Sequence, residues 1–402
     1  MVNRTRRALL VAAALVLATG IVPADAPSAG AAATRPFVSG WWPYWTSSTN
    51  KGVLTGATSG PLMKDVSLFS AGALPSTTLT NMKAAAVAAN LPVWLTWSST
   101  EWSIFKPAAA EKTANDIITA VVNGGYTGAD IDFEFVFDSG TDGDGCCLKK
   151  DWPTIQTDWK NFVILLSGKL HAAGKKLSVT VPPVWNGGAS GYWVYAQDQI
   201  HPYVDQLRLM VYDWAVGSPG AISPKWWVDQ VMAYSQNIAK VPASKLVLGL
   251  PAYGRHWWTK KNSMETCPSG ALKPVDSITM KEYAGLAAAN RVKPMRDATT
   301  GELTFTWDET VSGPLLTPPK YPPTTKPAAP TSIAGSGGGT ALAVRLGFTT
   351  CTVRHVVSVS DEVAVRNSAD KAYKAGWSGI SLWAFGYETP ALYTELAKIP
   401  LP

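Results

Sequence analysis

Three acidic residues at alternating positions, Asp130, Asp132 and Glu134, could do chemistry together. Ile131 and Phe133 between them are apolar, so the segment is typical of a β-strand that carries the three carboxylates on one face. Crowded carboxylates retain protons that isolated ones release, which favours a general acid. A calcium site is less favoured because calcium prefers ligands spread along a flexible loop. A structural cluster is also less favoured, since it would desolvate several charges with no return.

Short apolar stretches alternate with amphipathic or alanine-rich stretches along most of the chain, a pattern that indicates strands followed by helices. No Gly-x-Gly-x-x-Gly follows the first strand, so a dinucleotide-binding sheet is not indicated. The alternation predicts an α/β fold, a (β/α)8 TIM barrel over residues 34–402. This closed barrel is favoured over an open doubly wound sheet. The eight predicted strands are 37–42, 66–70, 93–97, 129–135, 176–181, 207–212, 245–250 and 379–384.

The regular spacing breaks once, between the seventh and eighth predicted strands, where about a hundred residues replace one helix. We predict a small α+β insertion at 256–355 rather than a separate domain. Its expected parts are a helix at 280–289, a hairpin of 293–296 with 303–307, and a Pro/Gly-rich stretch at 314–339.

Residues 1–33 have the features of a secretory signal: three arginines, an apolar run at 8–22 and a small-residue stretch. A retained membrane anchor is less favoured because the run is short and Pro23 ends it. We therefore expect a secreted, extracellular protein without stable membrane association. The two export routes, general and twin-arginine, both stay open. Without this segment the formal charge is +4, since three arginines and Asp25 are lost from +6, and this is too mild to indicate nucleic acid as a partner.

Four cysteines fit an oxidising compartment and allow three pairings. Cys267 and Cys351 fall in the predicted insertion, so we favour a disulfide between them. Cys146 and Cys147 are then a vicinal pair or free thiols. The four histidines have no zinc-ligand spacing, and we expect neither a metal nor a cofactor.

Polar and aromatic residues cluster where the predicted strands end, which is where barrels of this type place their reacting groups. Eighteen tryptophans is a high count, and an indole offers a platform to the apolar face of a sugar ring. For any one tryptophan, burial in the core is an equally good interpretation. The expected sugar contacts from this group include Trp42 and Trp97.

Four motifs in order along the chain resemble those of the family 18 glycoside hydrolases, the chitinase family. The acidic signature is Thr-Gly-Ala-Asp-Ile-Asp-Phe-Glu at 127–134, which departs from the family only in having Thr127 for Asp. Met-Val-Tyr-Asp at 210–213 and Leu-Gly-Leu-Pro-Ala-Tyr-Gly-Arg at 248–255 follow, and Trp383 matches the closing tryptophan. An insertion before the last strand is also a feature of many members.

The resemblance implies a substrate-assisted mechanism, in which the acetamido oxygen of the sugar is the nucleophile. Glu134 would protonate the glycosidic oxygen, and Tyr212 would donate to the acetamido oxygen. Asp132 would align the acetamido N–H and would shift its proton interaction between Asp130 and Glu134, which keeps the acid protonated near neutral pH. Arg208 points inward by strand parity, and its positive charge is expected to balance the negative charge of Asp130. Met210 belongs to the motif, although barrel packing is favoured for it. The substrate-binding set is Asp213, Met210, Trp383, Trp42, Trp97, Tyr253 and Arg255.

The expected activity is therefore hydrolysis of β-1,4-linked N-acetylglucosamine polymers, either chitin or the peptidoglycan glycan, by a monomer. A chitinase-like lectin that binds without cutting is the alternative from another class. The acid at Glu134 favours the enzyme, because a buried catalytic carboxyl is costly to keep without a use. Cleavage of N-glycans by the same chemistry is a third possibility.

Overall fold

The structure is a computed structural model that describes residues 36–46, 51–69, 76–135, 149–185, 192–315 and 347–399. The predicted signal segment, Cys146, Cys147 and most of the Pro/Gly-rich stretch lie outside the described residues.

The described residues form a succession of strands and helices that we number in chain order. The strands are β1 Val38–Pro43, β2 Met63–Phe69, β3 Val93–Ser99, β4 Gly128–Phe133, β5 Lys176–Val181, β6 Gln206–Met210, β7 Leu246–Pro251, β8 Tyr253–Lys260, β9 Asp276–Thr279, β10 Met295–Arg296, β11 Leu303–Leu315, β12 Gly347–Val359 and β13 Gly379–Trp383. The helices are α1 Lys51–Thr55, α2 Ser76–Ala88, α3 Pro107–Asn123, α4 Trp152–Ala172, α5 Gln197–Ile200, α6 Lys225–Ala233, α7 Tyr283–Ala289, α8 Glu362–Lys374 and α9 Pro390–Leu396.

Strands β1 to β7 and β13 pair in parallel and close into an eight-stranded barrel, in the order β1-β13-β7-β6-β5-β4-β3-β2. The predicted (β/α)8 TIM barrel is confirmed. Each strand sends alternate side chains inward and outward. On β4 the apolar Ile131 and Phe133 belong to the main core with residues of α3 and α4, such as Ile117 and Phe162, and this leaves the acids on the other face.

A second, antiparallel sheet follows β7 after one residue and has the order β10-β11-β12-β8-β9. Its strands β11 and β12 are thirteen residues each, longer than the predicted hairpin, and β8 and β12 were not predicted. A small core of Ile278, Ala287, Phe305 and Val357 lies between this sheet and α7. The predicted disulfide between Cys267 and Cys351 is confirmed.

None of the helices among the described residues is long and apolar enough to span a bilayer.

Candidate active site

Asp130 lies fully buried inside the barrel, in a ring of donors from three other strands. Its two carboxyl oxygens accept hydrogen bonds of 2.7 to 3.2 Å, and each donor sits on β1, β3 or β5. The shortest comes from the hydroxyl of Ser178. A carboxylate with this many donors is fixed in position and in rotamer. The donors are Trp41 Nε1, Thr96 Oγ1, Ser178 Oγ and Thr180 Oγ1.

Arg208 points into the same interior, but its main partner is not Asp130. One terminal nitrogen, Nη2, lies 3.0 Å from Oδ1 of Asp65, and Nη1 donates to Ser67 at 2.6 Å. The distance from Nε to Asp130 is 3.9 Å, the longer of the two ion-pair contacts. The expected balance of the Asp130 charge is thus only part of the role of Arg208. Asp65, on β2, is its main acidic partner and was not predicted from the sequence.

Asp132 is the next acid toward the mouth of the barrel and is 5% exposed. Its Oδ1 atom is buried and has no hydrogen-bond partner among the described residues. Burial, and then the charges of Glu134 and Asp130, raise the pKa of Asp132 well above its usual range. A buried oxygen without a partner is costly in a folded protein, so this atom is free to bind a ligand that brings its own polar group.

Glu134 follows the last residue of β4 and is exposed at the mouth. The prediction ran this strand to residue 135, but the strand ends at Phe133, and the Glu134 backbone N–H still donates to the carbonyl of Ser99 at 2.8 Å. Desolvation of the carboxyl and the nearby charge of Asp213 raise the pKa of Glu134 above its ordinary value. A carboxyl at the mouth that keeps its proton to higher pH than an ordinary glutamate is suited to general acid catalysis.

Tyr212 and Asp213 approach the triplet from the segment after β6. Burial of the phenol, and then the charges of Asp132, Tyr253, Glu134 and Asp213, raise the pKa of Tyr212 well above 10. The hydroxyl of Tyr212 therefore stays protonated and available as a donor.

Asp213 has a left-handed backbone, with φ of 62°, which is uncommon for a residue other than glycine. Two side chains of β8 hold its carboxylate: Tyr253 Oη donates to Oδ1 at 2.5 Å, and Arg255 Nη2 donates to the same atom at 2.7 Å. The first strand of the second sheet thus fixes an acid of the barrel mouth.

A cavity of about 350 Å³ opens beside these residues and is lined by Glu134, Met210, Tyr212 and Asp213. Aromatic side chains form another part of its wall. Trp214 is 41% exposed, and its ring packs against Trp185 with centroids 5.5 Å apart. Partly exposed indoles next to carboxylates fit a sugar ring, which has apolar C–H faces and polar hydroxyls at its edge. The further lining residues are Pro182, Pro183, Trp185, Tyr192, Tyr195, Trp214 and Trp227.

The family model described as Glycosyl hydrolases family 18 matches residues 63–394. The chain belongs to this family of glycosidases. The resemblance expected from the motifs is confirmed.

The relatives found by sequence comparison are distant from this chain. An uncharacterized glycosylase of Bacillus subtilis is 25% identical over 205 residues, which cover 50% of this chain and 51% of the relative. The alignments thus span about half or less of the first curated relatives.

Solved structures show the same fold. A chitinase from Chromobacterium violaceum has a TM-score of 0.63 at 18% identity and covers 90% of this chain and 98% of its own. A Bacillus cereus spore cortex-lytic enzyme has a TM-score of 0.62 at 16% identity, with 90% and 73% covered.

Most residues expected from the family 18 motifs meet at the barrel mouth. Met210 is 8% exposed and lines the cavity, so it both packs and borders the site. Trp383 is half-buried and contacts Phe69 edge to face, with centroids 4.7 Å apart, and Trp41 at 6.0 Å. The catalytic and binding roles themselves stay predictions.

Two expected sugar contacts lie elsewhere. Trp42 is completely buried in the main core, so its prediction as a substrate contact is wrong. Trp97 packs partly buried against that core on the outer face of β3, opposite to Thr96, which points inward to Asp130. The strand parity of each residue decides its side of the barrel wall.

Trp185, Trp214 and Tyr192 line the cavity and were not among the predicted contacts. A signal for two of them was present in the sequence: Trp214 directly follows Asp213, and Trp185 comes four residues after the end of β5. In the part of the chain that the structure describes, no group of three or more His, Cys, Asp or Glu residues could hold a metal ion.

Proposed function

We propose that the protein is a secreted glycosidase that hydrolyses β-1,4-linked N-acetylglucosamine polymers with retention of configuration. The observation that carries this proposal is the state of Asp132, which is buried between Asp130 and Glu134 with one carboxyl oxygen unpaired. An acetamido N–H of the substrate is the partner that this oxygen lacks. Sugars without that group leave it unsatisfied.

The arrangement of the acids favours substrate assistance over an enzymic nucleophile. An ordinary retaining site has two carboxyls on opposite sides of the scissile bond, about 5 Å apart. Here Asp130 and Asp132 are on β4 and Glu134 directly follows it, and their alternate positions put the three carboxyls on one side. Family 18 belongs to the exceptions, in which the 2-acetamido oxygen attacks C1.

In the first step, Glu134 gives its proton to the glycosidic oxygen while the acetamido oxygen forms a bond to C1 and the glycosidic bond breaks. The positive charge that develops on the acetamido group lies near Asp132, which accepts its N–H and stabilises it. In the second step, water attacks C1, its proton goes to Glu134, and the bond between C1 and the acetamido oxygen breaks. The acid is thereby restored.

Two residues that follow β6, two strands away from β4 in the barrel, complete this site in the proposal. Tyr212, protonated at all ordinary pH values, donates to the acetamido oxygen as that oxygen turns toward C1. Asp213, fixed by Tyr253 and Arg255, binds a sugar hydroxyl in the proposal, and its charge raises the pKa of Glu134. Trp383 offers a hydrophobic floor.

Chitin and the peptidoglycan glycan are the two candidate polymers. Both carry the acetamido group that the mechanism needs, and the similar proteins include chitinases as well as spore cortex-lytic enzymes. Trp185 and Trp214 in the cavity wall offer indole faces to sugar rings of either polymer.

Purified protein incubated with N-acetylglucosamine oligomers and with purified sacculi, followed by mass spectrometry of the products, tests the proposal. Products from either substrate, absent with Glu134→Gln, support it. Fully deacetylated chitosan and cellulose oligomers should remain intact, and a thiazoline analogue of the cyclic intermediate should inhibit. Appreciable cleavage of deacetylated chitosan that depends on Glu134 would require an enzymic nucleophile and would overturn the mechanism.

Binding of N-acetylglucosamine oligomers without any product would instead favour the lectin alternative. Release of glycans from glycoproteins, with oligomers and sacculi left intact, would favour action on N-glycans.

A further inference from the structure

Glu302 is a buried acid of the second sheet that the mechanism does not use. It immediately precedes β11 and its side chain is completely buried. Its two carboxyl oxygens accept from the backbone N–H groups of Ile222 at 2.8 Å and Ser223 at 2.6 Å, and from the hydroxyl of Ser358 at 3.0 Å. Burial raises the pKa of Glu302 to about 7, while these donors act against that rise.

Ile222 and Ser223 close the loop that begins after β6, which we call the 211–223 loop. The carbonyl of Ile222 accepts from the backbone N–H of Trp214 at 3.0 Å, and Ser223 Oγ donates to the carbonyl of Val211 at 2.6 Å. Glu302 therefore binds the point where the two ends of the loop meet.

The 211–223 loop carries Asp213 and Trp214, which both line the cavity. Besides Glu302, and the contacts of Tyr253 and Arg255 with Asp213, a further contact from the inserted sheet reaches this loop: Trp257 Nε1 donates to the carbonyl of Val216 at 2.7 Å. Beyond the loop, the backbone N–H of Lys225 at the start of α6 donates to the carbonyl of Thr300. The inserted sheet thus contacts both the middle and the end of this segment.

We propose that Glu302 is a positioning residue, which holds the 211–223 loop so that Trp214 and Asp213 face the substrate. It acts through two backbone N–H groups and does not itself contact the reacting atoms. The kinetic part of this proposal rests on the proposed function, whereas the structural part stands without it. A neutral or shortened side chain at position 302 leaves the buried N–H of Ile222 or Ser223 without an acceptor. The end of the loop is then held less firmly.

Hydrogen exchange measured by mass spectrometry tests the positioning directly, without substrate. In Glu302→Gln, amides of the 211–223 loop should exchange about tenfold faster or more, the scale of one lost hydrogen bond to a charged group. Peptides from β4 and β5 should keep their protection. Glu309→Gln is the matched control, because Glu309 lies on β11, the strand that Glu302 immediately precedes, and contacts His355 instead of the loop.

Steady-state kinetics on an N-acetylglucosamine oligomer give the second readout. The Glu302→Gln variant should raise KM more than it lowers kcat, since the loop contributes a wall of the cavity, and Glu309→Gln should change neither. Ser358→Ala, which removes one donor and no charge, should give the same loop-confined increase in exchange to a smaller degree.

Unchanged exchange of the 211–223 loop in Glu302→Gln would overturn the proposal, as would faster exchange spread evenly over the barrel and the inserted sheet. If Glu302→Gln does not fold, an unchanged loop in Ser358→Ala would overturn it instead. Wild-type protein without activity on any N-acetylglucosamine polymer would reject the proposed function and leave the exchange result to decide on Glu302.

Discussion

The phenol of Tyr253 lies 2.5 Å from Oδ1 of Asp213 and donates to it. Tyr253 is on β8 of the inserted sheet, whereas Asp213 follows the barrel strand β6. Desolvation and the charge of Asp213 raise the pKa of Tyr253 well above 10, so the phenol keeps the proton it donates. The position of one acid of the candidate active site therefore depends on a residue outside the barrel.

Replacing Tyr253 with Phe removes this donor and little else. We expect kcat/KM to fall about tenfold or more, because a hydrogen bond to a charged group contributes about 1.5 to 3 kcal/mol. Tyr203→Phe, at an exposed phenol, is the control and should behave as wild type. Equal kinetics in the two variants would mean that Arg255 alone suffices to hold Asp213.

Replacing Glu134 with Gln removes the proposed general acid. Turnover should fall by at least about a hundredfold, the scale of general acid catalysis, while the oligomer still binds. Glu111→Gln alters an exposed acid on α3 and should keep full activity. More than about a tenth of wild-type activity in Glu134→Gln would reject this acid, because the expected loss is far larger.

The pH profile should report the charge of Asp213. Glu134 must be protonated to act, so activity falls as pH rises through its pKa, and the raised pKa moves this alkaline limb upward. Removing the negative charge with Asp213→Asn should lower the pKa of Glu134 and shift the limb to lower pH. A limb that stays in place or moves upward would contradict the electrostatic role.

Asp130→Asn should mainly lower the free energy of unfolding. The substituted amide brings an N–H₂ group into a ring that already consists of donors, and it leaves Arg208 with less negative charge nearby. Breaking a buried charge arrangement costs about 3 to 5 kcal/mol. Denaturant unfolding should show this loss, and Asp116→Asn, at an exposed acid of α3, should show none.

The disulfide between Cys267 and Cys351 closes a loop with a sequence separation of 84 residues. Cross-linking a loop of this length restricts the unfolded chain by an amount on the order of 4 kcal/mol. Replacing both cysteines with serine should therefore lower the melting temperature. Peptide mapping before and after reduction checks the pairing, and a bond from Cys267 to Cys146 or Cys147 would contradict it.

The barrel and the acidic strand were predictable because strand parity and the family motifs are local properties of the sequence. Asp130, Asp132 and Glu134 alternate with apolar residues, so their common face follows from the period of two. Trp42 shows the limit of this reasoning: it comes one residue after Trp41, and only the parity separates the buried outer side from the interior.

Long-range contacts could not be predicted from the sequence. Asp65 and Arg208 are 143 residues apart and meet across the barrel interior, and Glu302 reaches Ile222 over 80 residues. Strands β8 and β12 pair with each other, although the segment 261–346 separates them in the sequence. A hairpin is recognised from a short turn between two strand patterns, and no short turn joins these two strands. Such pairs depend on how the elements are arranged in space.

Strand β8 begins one residue after β7, and this has a consequence for protein engineering. Exchanging the predicted insertion, 256–355, between relatives would split two pairs of the β8–β12 ladder between the two parents, His256 with Val357 and Trp257 with Val356. It would also exchange Glu302 while leaving behind the loop that Glu302 binds. A functional chimaera therefore needs junctions outside 253–359 and a 211–223 loop from the same parent. These two segments are distant in the sequence but have to be exchanged together.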